Sequence, residues 1–242
     1  MSEISTAFSF YLEGTSCGVH FFGPPKEKAP LFIMPVFDDV PDLIAAQHKR
    51  LDSIVEAEKT PFTLAVFGVR DWMNDLSPWH VPAANRNGDD FTGGAEETLG
   101  WVLGSLLPAI EERYPCVIDG ARGLVGYSMS GLFALWSVYQ TDMFDFCASC
   151  SGSLWYEGFA EYAEQNKPQS KYIYLSLGAK EEKTRNPVFA RVGNATRRIS
   201  TALASSPEVV ESELVLHPGG HTGSASERLA AANLWMARRA SD

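Results

Sequence analysis

The sequence is poor in basic residues. It has 20 Lys and Arg against 30 Asp and Glu, a formal net charge of −10, and no block of five or more basic residues. Affinity for nucleic acid depends on clustered cations that neutralise phosphates, so we do not expect nucleic acid as a partner. The N-terminal residues also lack the basic start and apolar run of a signal peptide, and we therefore expect a cytoplasmic protein.

Long hydrophobic runs are scarce as well. The longest stretch without a charged residue is residues 123–141, which is 19 residues and close to the length of a membrane-spanning helix. This stretch contains three Gly and three Ser residues, and it divides into a short strand, a turn and a buried helix. We therefore expect no association with a membrane.

Cysteine is too sparse to suggest a metal centre. The four cysteines (Cys17, Cys116, Cys147 and Cys150) include one C-x-x-C, but a structural zinc site needs a second ligand pair at matching spacing, and the sequence has none. Cys147 and Cys150 lie in an apolar run that is typical of a buried strand, where free Cys serves as a small hydrophobe. We expect no metal.

The hydrophobic pattern predicts alternating strands and helices after an antiparallel hairpin. This order is typical of a mostly parallel sheet with helices on both faces. No repeat or Pro/Ser-rich linker divides the chain, so we expect one α/β domain over residues 1–242 with eight strands. The predicted strands are 8–12, 19–22, 31–37, 62–67, 124–126, 146–151, 172–177 and 214–216, and the predicted helices lie near 43–55, 95–114, 130–141, 186–203 and 225–238.

One long segment, residues 68–94, shows neither the hydrophobic pattern of a helix nor that of a strand. Long loops in compact domains are usually functional or disordered, and the tryptophans Trp72 and Trp79 argue against disorder. Two interpretations stay open for this segment: a wall of a substrate pocket, or structural packing. Trp155 and Tyr156 could extend the same aromatic wall, and His80 could contact a substrate from this loop.

The strongest chemical signal is the run LVGYSMSGL at residues 124–132. It is a short apolar strand that enters a helix through a turn of small residues, the setting of a nucleophile elbow. The positions two before and two after the nucleophile must be small, and Gly126 and Ser130 satisfy this requirement for Ser128. If Ser130 were the nucleophile, Leu132 would crowd the turn. We therefore predict Ser128 as the nucleophile.

A serine nucleophile needs a base and an acid. His221 lies in a Gly-rich loop between the last strand and the last helix, and the other four histidines fit structural roles better. Glu181 and Glu182 follow the penultimate strand, and either could orient the base, with Glu181 preferred. The oxyanion would be held by the N–H of Met129 and by a second donor after the third strand. We predict Phe37 for that donor, with Val36 as the alternative.

Six segments carry a resemblance to a known family: DWMNDLSPW at 71–79, FTGGA at 91–95, the predicted elbow at 124–132, SGSLW at 151–155, SLGAKEEKTRN at 176–186 and PGGH at 218–221. Together they resemble the putative-esterase branch of the α/β-hydrolase superfamily, which includes esterase D and siderophore-ester hydrolases. The resemblance implies an α/β-hydrolase fold without a separate lid domain and a triad of Ser128, Glu181 and His221. It also implies that Trp72, Asp75 and Trp79 lie beside the pocket.

We therefore expect a serine esterase that acts on a small-molecule ester and needs no cofactor. Substrate-binding residues are predicted to be Trp72, Asp75, Trp79 and Trp155. The same triad could instead transfer the acyl group to another acceptor or cleave amides, and the unusual loop after the third strand keeps a non-catalytic binding protein open. A basic cluster within residues 180–198 is interpreted as a solvated helix face, or else as a pocket mouth that favours anionic substrates.

Overall fold

A computed structural model describes residues 7–24, 26–37, 41–84 and 88–241. The strands are β1 (Ala7–Leu12), β2 (Thr15–Phe22), β3 (Leu31–Phe37), β4 (Phe62–Val69), β5 (Arg122–Tyr127), β6 (Phe146–Cys150), β7 (Tyr172–Gly178) and β8 (Glu211–His217). The helices are α1 (Pro41–Glu58), α2 (Ala95–Trp101), α3 (Leu107–Arg113), α4 (Met129–Ser137), α5 (Phe159–Gln165), α6 (Val192–Ala204) and α7 (Ala225–Arg239).

The eight strands form one sheet in the order β1-β2-β4-β3-β5-β6-β7-β8. β1 pairs with β2 and β2 with β4 in antiparallel fashion, and every other neighbouring pair is parallel. This confirms the predicted mostly parallel sheet with an antiparallel start. Central strands such as β3 are almost wholly apolar and buried, as expected for strands that are covered on both faces.

Helices cover both faces of the sheet and enclose two hydrophobic cores. One face packs against α1 and α7, through residues such as Leu51 and Met236. The other face packs against the remaining helices, and its core includes Leu99, Leu132 and Ile199. α4 is buried along its whole length, which explains why its sequence is apolar on every side.

Several helices differ from the prediction. α5 is missing from it, because seven residues make only two turns, too short for an apolar period to stand out. α6 begins at Val192 rather than near 186, because the Asn186 side chain accepts the N–H of Val188 at 2.9 Å and a 3₁₀ turn (Phe189–Arg191) comes first. The predicted helix near 95–114 is present as α2, a π-helical turn (Val102–Leu106) and α3.

The parallel strands bring the functional segments together. Their carboxyl ends meet at one edge of the sheet, where ligands of open α/β sheets usually bind. The turn after β5 and the loops after β6, β7 and β8 all lie at this edge. Within the described residues, no helix has the length and hydropathy of a membrane-spanning segment. No group of three or more His, Cys, Asp and Glu side chains in the same residues is placed to hold a metal ion.

Candidate active site

Ser128 occupies a sharp turn between β5 and α4. Its φ of 62° and ψ of −120° are rare for a residue with a side chain, and such strain is typical of functional turns. The turn needs a glycine at 126, because a Cβ there would lie 2.1 Å from the backbone oxygen of Ser130. The strand and the helix therefore approach closely enough to push Ser128 outward.

The structure also explains why serine is tolerated at position 130. The Ser130 Oγ donates to the carbonyl of Tyr127 at 3.0 Å and accepts the Tyr127 N–H at 2.8 Å. Its hydroxyl is buried and used to brace the turn. Of the two serines, only Ser128 presents its hydroxyl to the cavity beside the turn.

His221 lies within hydrogen-bond distance of Ser128. The Ser128 Oγ is 3.1 Å from the Nε2 of His221, and it is also 3.4 Å from the Oγ of Ser153. His221 is carried by the loop between β8 and α7, and the hydroxyl of Tyr127 donates to its backbone carbonyl. This hydrogen bond to the backbone holds the His221 loop against the turn that carries Ser128.

Glu181 meets the other side of the imidazole. Its Oε2 accepts from the Nδ1 of His221 at 2.7 Å, and its Oε1 accepts the Gly178 N–H at 2.7 Å. Burial alone would raise the pKa of this carboxyl. Hydrogen bonds from His221, the Gly178 N–H and Ser151 outweigh burial, and the pKa lies below its usual value. The Glu181 side chain is therefore an ionised acceptor that selects the His221 tautomer with a proton on Nδ1.

Glu182, the alternative acid, points elsewhere. Its side chain is 37% exposed and pairs with Arg197 at 2.7 Å, whereas the Glu181 side chain is 3% exposed. The two residues share a 3₁₀ turn (Glu181–Lys183), so their side chains leave the backbone in different directions. The structure brings Glu181 to His221 and leaves Glu182 on the surface.

The predicted oxyanion donor Met129 lies at the start of α4. Met129 is the first residue of that helix, and the first N–H groups of a helix have no acceptor within it. They also lie at the positive end of the helix dipole. Phe37 ends β3 with its ring 5.8 Å from that of Trp72. Residues 38–40 lie outside the described residues, and the second donor, Phe37 or Val36, stays a prediction.

A cavity of about 270 Å³ opens beside the Ser128 hydroxyl. Its walls are mostly apolar, and Glu181 and His221 supply the titratable groups among the described residues that line it. The lining consists of Trp72, Met73, Ser128, Met129, Ser151, Gly152, Ser153, Trp155, Glu181, Thr184, Phe189, Val192 and His221.

Residues 37–225, more than three quarters of the chain, match a family model described as "Putative esterase". The chain belongs to this esterase family. The matched residues include Ser128, Glu181 and the loop that carries His221.

Two relatives of this esterase-family chain are fungal. A siderophore triacetylfusarinine C esterase of Aspergillus fumigatus is 29% identical over 148 residues, which cover 57% of this chain and 49% of the relative. A siderophore enterobactin esterase of Emericella nidulans is 29% identical over 157 residues, which cover 58% of this chain and 50% of the relative. The matched regions span about half the length of both relatives.

Solved structures show the same fold. The siderophore hydrolase EstA from Aspergillus nidulans has a TM-score of 0.71 at 18% identity, with 96% of this chain and 94% of that chain covered. An IroE-like serine hydrolase from Shewanella oneidensis has a TM-score of 0.78 at 15% identity, with coverages of 96% and 79%. This likeness confirms the predicted α/β-hydrolase fold.

Two of the four residues predicted to bind substrate in this esterase-family chain line the cavity, and two do not. Trp72 and Trp155 are in its wall. Asp75 instead accepts the Asp71 N–H at 3.0 Å and borders a separate cavity of about 370 Å³ between the β1–β2 turn and α2. Trp79 donates from its indole to the Glu157 carbonyl at 3.1 Å and supports the wall from behind.

Sequence reasoning missed several cavity residues. Phe189 packs edge-on against Trp155 at 4.8 Å and, with Val192, closes one side of the cavity. Both belong to the start of a predicted helix, where an apolar residue is interpreted as core. Met73 directly follows Trp72, which was predicted to bind substrate. That adjacency could have indicated that Met73 also lines the cavity.

Two arginines of the basic cluster are paired on the surface. Arg197 pairs with Glu182, and Arg198 pairs with Glu161 and Glu164 at 2.7 and 2.6 Å. No Lys or Arg is found among the described residues that line the cavity. Arg197 and Arg198 therefore form part of the solvated helix face that the sequence suggested. Lys180, Lys183, Arg185 and Arg191 stand close in sequence to lining residues, and their place at the pocket mouth stays a prediction.

Proposed function

We propose that this chain is a serine hydrolase that cleaves carboxylic esters through an acyl-enzyme intermediate. The observation that carries the proposal is the continuous hydrogen-bond relay from Ser128 Oγ to His221 Nε2 at 3.1 Å and from His221 Nδ1 to Glu181 Oε2 at 2.7 Å. The relay ends at a strained elbow beside an apolar cavity. Membership of the esterase family supports the same reaction.

Acylation would begin with the Ser128 hydroxyl. Its oxygen attacks the ester carbonyl carbon while His221 Nε2 takes the proton, and Glu181 offsets the charge that the imidazole gains. The Met129 N–H and a second donor stabilise the oxyanion. When the intermediate collapses, the carbon–oxygen bond to the alcohol breaks, and His221 returns the proton to the leaving oxygen.

Deacylation would repeat these steps with water. His221 removes a proton from a water molecule, whose oxygen attacks the acyl carbon and displaces Ser128 from it. The proton returns to the Ser128 oxygen, and the carboxylic acid leaves. Neither half-reaction requires a cofactor.

The cavity favours a small ester with an uncharged, apolar acyl part. Trp72, Trp155 and Phe189 offer flat surfaces within a volume of about 270 Å³. The chain carries a net charge of −10, so an anionic ester meets a repulsive field. The named activities of the fungal relatives are also those of esterases, which supports a small-molecule substrate.

Hydrolysis of p-nitrophenyl acetate, butyrate and hemisuccinate by the wild type, Ser128→Ala and Ser137→Ala tests the proposal. Ser137 is a buried serine of α4 whose hydroxyl bonds to Phe133, away from the cavity, and its variant should retain activity. Ser128→Ala should lose on the order of 10⁴–10⁶-fold in kcat. The anionic hemisuccinate should be cleaved more slowly than butyrate at low salt, and the gap should narrow as salt screens the repulsion.

Full activity of folded Ser128→Ala would overturn the assignment of the nucleophile. A preference for the hemisuccinate that weakens with salt would instead show that cations reach the substrate. That result would contradict the proposed substrate class and leave the reaction type intact.

A further inference from the structure

Arg228 is the largest fully buried side chain and carries a charge that the mechanism above does not use. It lies in the first turn of α7 with a side chain that is 0% exposed. Its Nη1 donates to the Oε1 of Glu181 at 2.5 Å, to the Tyr127 hydroxyl at 3.2 Å and to the Ser151 hydroxyl. Its Nη2 donates to the Gly220 carbonyl at 2.7 Å.

These contacts tie together the four segments that form the relay. Tyr127 directly precedes Ser128, Ser151 follows β6, Glu181 follows β7, and Gly220 directly precedes His221 in sequence. One planar guanidinium therefore touches the backbone or side chain beside each reacting group. Arginine suits this task because its donors point in fixed directions.

The end of β7 leaves room for the Arg228–Glu181 pair, because its last residue is a glycine. A Cβ on Gly178 would lie 2.6 Å from the Nη2 of Arg228 and 2.8 Å from the Oε1 of Glu181, so a larger residue there would displace both. A buried ion pair is weak evidence for a stabilising device, because desolvation of the two charges offsets their attraction. In this site the Arg228–Glu181 ion pair matters because it fixes the positions of Glu181 and of the His221 loop.

We propose that Arg228 is a positioning residue, which keeps Glu181 ionised and oriented toward His221 and fixes the loop that carries His221. This deepens the proposed function and rests on it. Arg228 does not line the cavity, so its effect on a substrate passes through Glu181 and His221.

If Arg228 acts through its charge, removing the charge should change how activity depends on pH. Without the cation, Glu181 either takes up a proton more readily or pairs more strongly with the charged imidazole, and both effects favour the protonated, inactive relay. The acid limb of activity should therefore move to higher pH. Among the described residues, the other titratable groups that interact with this guanidinium are Tyr127 on β5, Cys150 on β6 and His217 on β8. Glu227 on α7 pairs with Arg50 at the surface.

Three variants separate charge from shape. Arg228→Met removes the cation, Arg228→Lys keeps it but cannot reach all the acceptors, and Arg239→Met is the control. Arg239 also lies on α7 and pairs with a glutamate, Glu211, away from the relay. Each variant is first checked by circular dichroism and thermal unfolding.

The readouts are the pH profile of kcat/KM with p-nitrophenyl butyrate and the ¹⁵N titration of the His221 imidazole. Arg228→Met should raise the acid-side midpoint of both by about one pH unit or more. It should also lower kcat about 10- to 100-fold, with KM changed much less, since the substrate surface is untouched. Arg228→Lys should keep the midpoint near that of the wild type while kcat stays reduced, and Arg239→Met should change neither.

Unchanged midpoints and kcat in folded Arg228→Lys and Arg228→Met would overturn the proposal. If Arg228→Met does not fold, a wild-type kcat in Arg228→Lys suffices to reject it. The imidazole titration does not depend on turnover. A folded wild type that cleaves no ester therefore rejects the proposed function, while the difference in imidazole midpoint between wild type and variants still decides the role of Arg228.

Discussion

Glu181 and Glu182 differ in surroundings although they are neighbours in the chain. At the scale of single residues, this difference comes from the 3₁₀ turn after β7, which directs one side chain inward to His221 and the other outward to Arg197. The inward carboxylate gains a backbone N–H from Gly178, and the outward one gains only a solvent-exposed ion pair. Such exposed pairs contribute little to stability.

Glu181→Gln and Glu182→Gln therefore form a matched pair. Glu181→Gln removes the charge that stabilises the imidazolium and disturbs the tautomer, so kcat/KM for p-nitrophenyl butyrate should fall on the order of 10⁴-fold. Glu182→Gln should remain within about twofold of the wild type, because the exposed pair it breaks contributes little. Steady-state kinetics on both proteins provide the test, and the reverse order of effects would assign the acid to Glu182.

Residue types and spacing predicted much of the site. Ser128, Glu181 and His221 were selected from turn chemistry and chain order, and the structure brings their side chains together; their catalytic roles stay predictions. Arg228 was missed because it stands next to Glu227 at the start of a helix, a context typical of a solvated surface. Its burial depends on four loops that are distant in sequence, and no local pattern encodes that.

At the scale of elements, β2 and α1 meet through two histidines. The rings of His20 on β2 and His48 on α1 lie 6.0 Å apart, and the Nδ1 of His48 contacts Asp52 at 3.0 Å. Burial, with a smaller contribution from His48, lowers the pKa of His20 to about 4. The folded protein therefore holds His20 neutral at pH values where the unfolded chain would protonate it.

This contact predicts a loss of stability in acid. The unfolded state binds more protons at His20 between about pH 6.5 and 4, so the free energy of unfolding should fall as pH decreases through that window. The loss from this group is at most about 3–4 kcal/mol. His20→Gln should flatten the fall of Tm between pH 6.5 and 4.5 in thermal scans, and His80→Gln, at an exposed loop position, serves as control.

A His20→Gln profile parallel to that of the wild type would show that other groups cause the acid sensitivity.

Glu181 also contributes to acid sensitivity, but as a carboxylate that loses its charge when it is protonated. The pKa of Glu181 is lower in the folded protein than in the unfolded chain. The ionised carboxylate therefore stabilises the fold at pH values above the unfolded pKa, and this stability is lost as pH falls through the folded pKa. Because this loss lies at lower pH than the start of the His20 window, the two contributions can be separated.

Elements with a strong pattern were predicted well. Each of the eight strands contains an apolar run in sequence, and all eight are present in the sheet. The weak points are short or irregular: α5 has two turns, and the start of α6 is set by the Asn186 side chain rather than by apolar spacing. The long segment 68–94 proved to have two roles, since Trp72 lines the cavity while Trp79 is packed behind it.

At the scale of the whole molecule, the site exists only because a parallel sheet gathers its loops. Ser128, Glu181 and His221 are separated by 40 to 93 residues in sequence, yet His221 lies within 3.1 Å of Ser128 and 2.7 Å of Glu181. The mostly parallel sheet with an antiparallel start could be inferred from the alternation of elements. The shape of the cavity could not, because it depends on how Phe189 and Val192 meet Trp155 across the loops.

The central claim is that Ser128 is an activated nucleophile, and covalent labelling tests it most directly. The measurement is intact-mass analysis of the wild type and Ser128→Ala after treatment with a fluorophosphonate, which reports on nucleophile activation without knowledge of the substrate. We predict a single adduct on the wild type and none on the folded variant. No adduct on the folded wild type, or an adduct that persists in Ser128→Ala, would contradict the account.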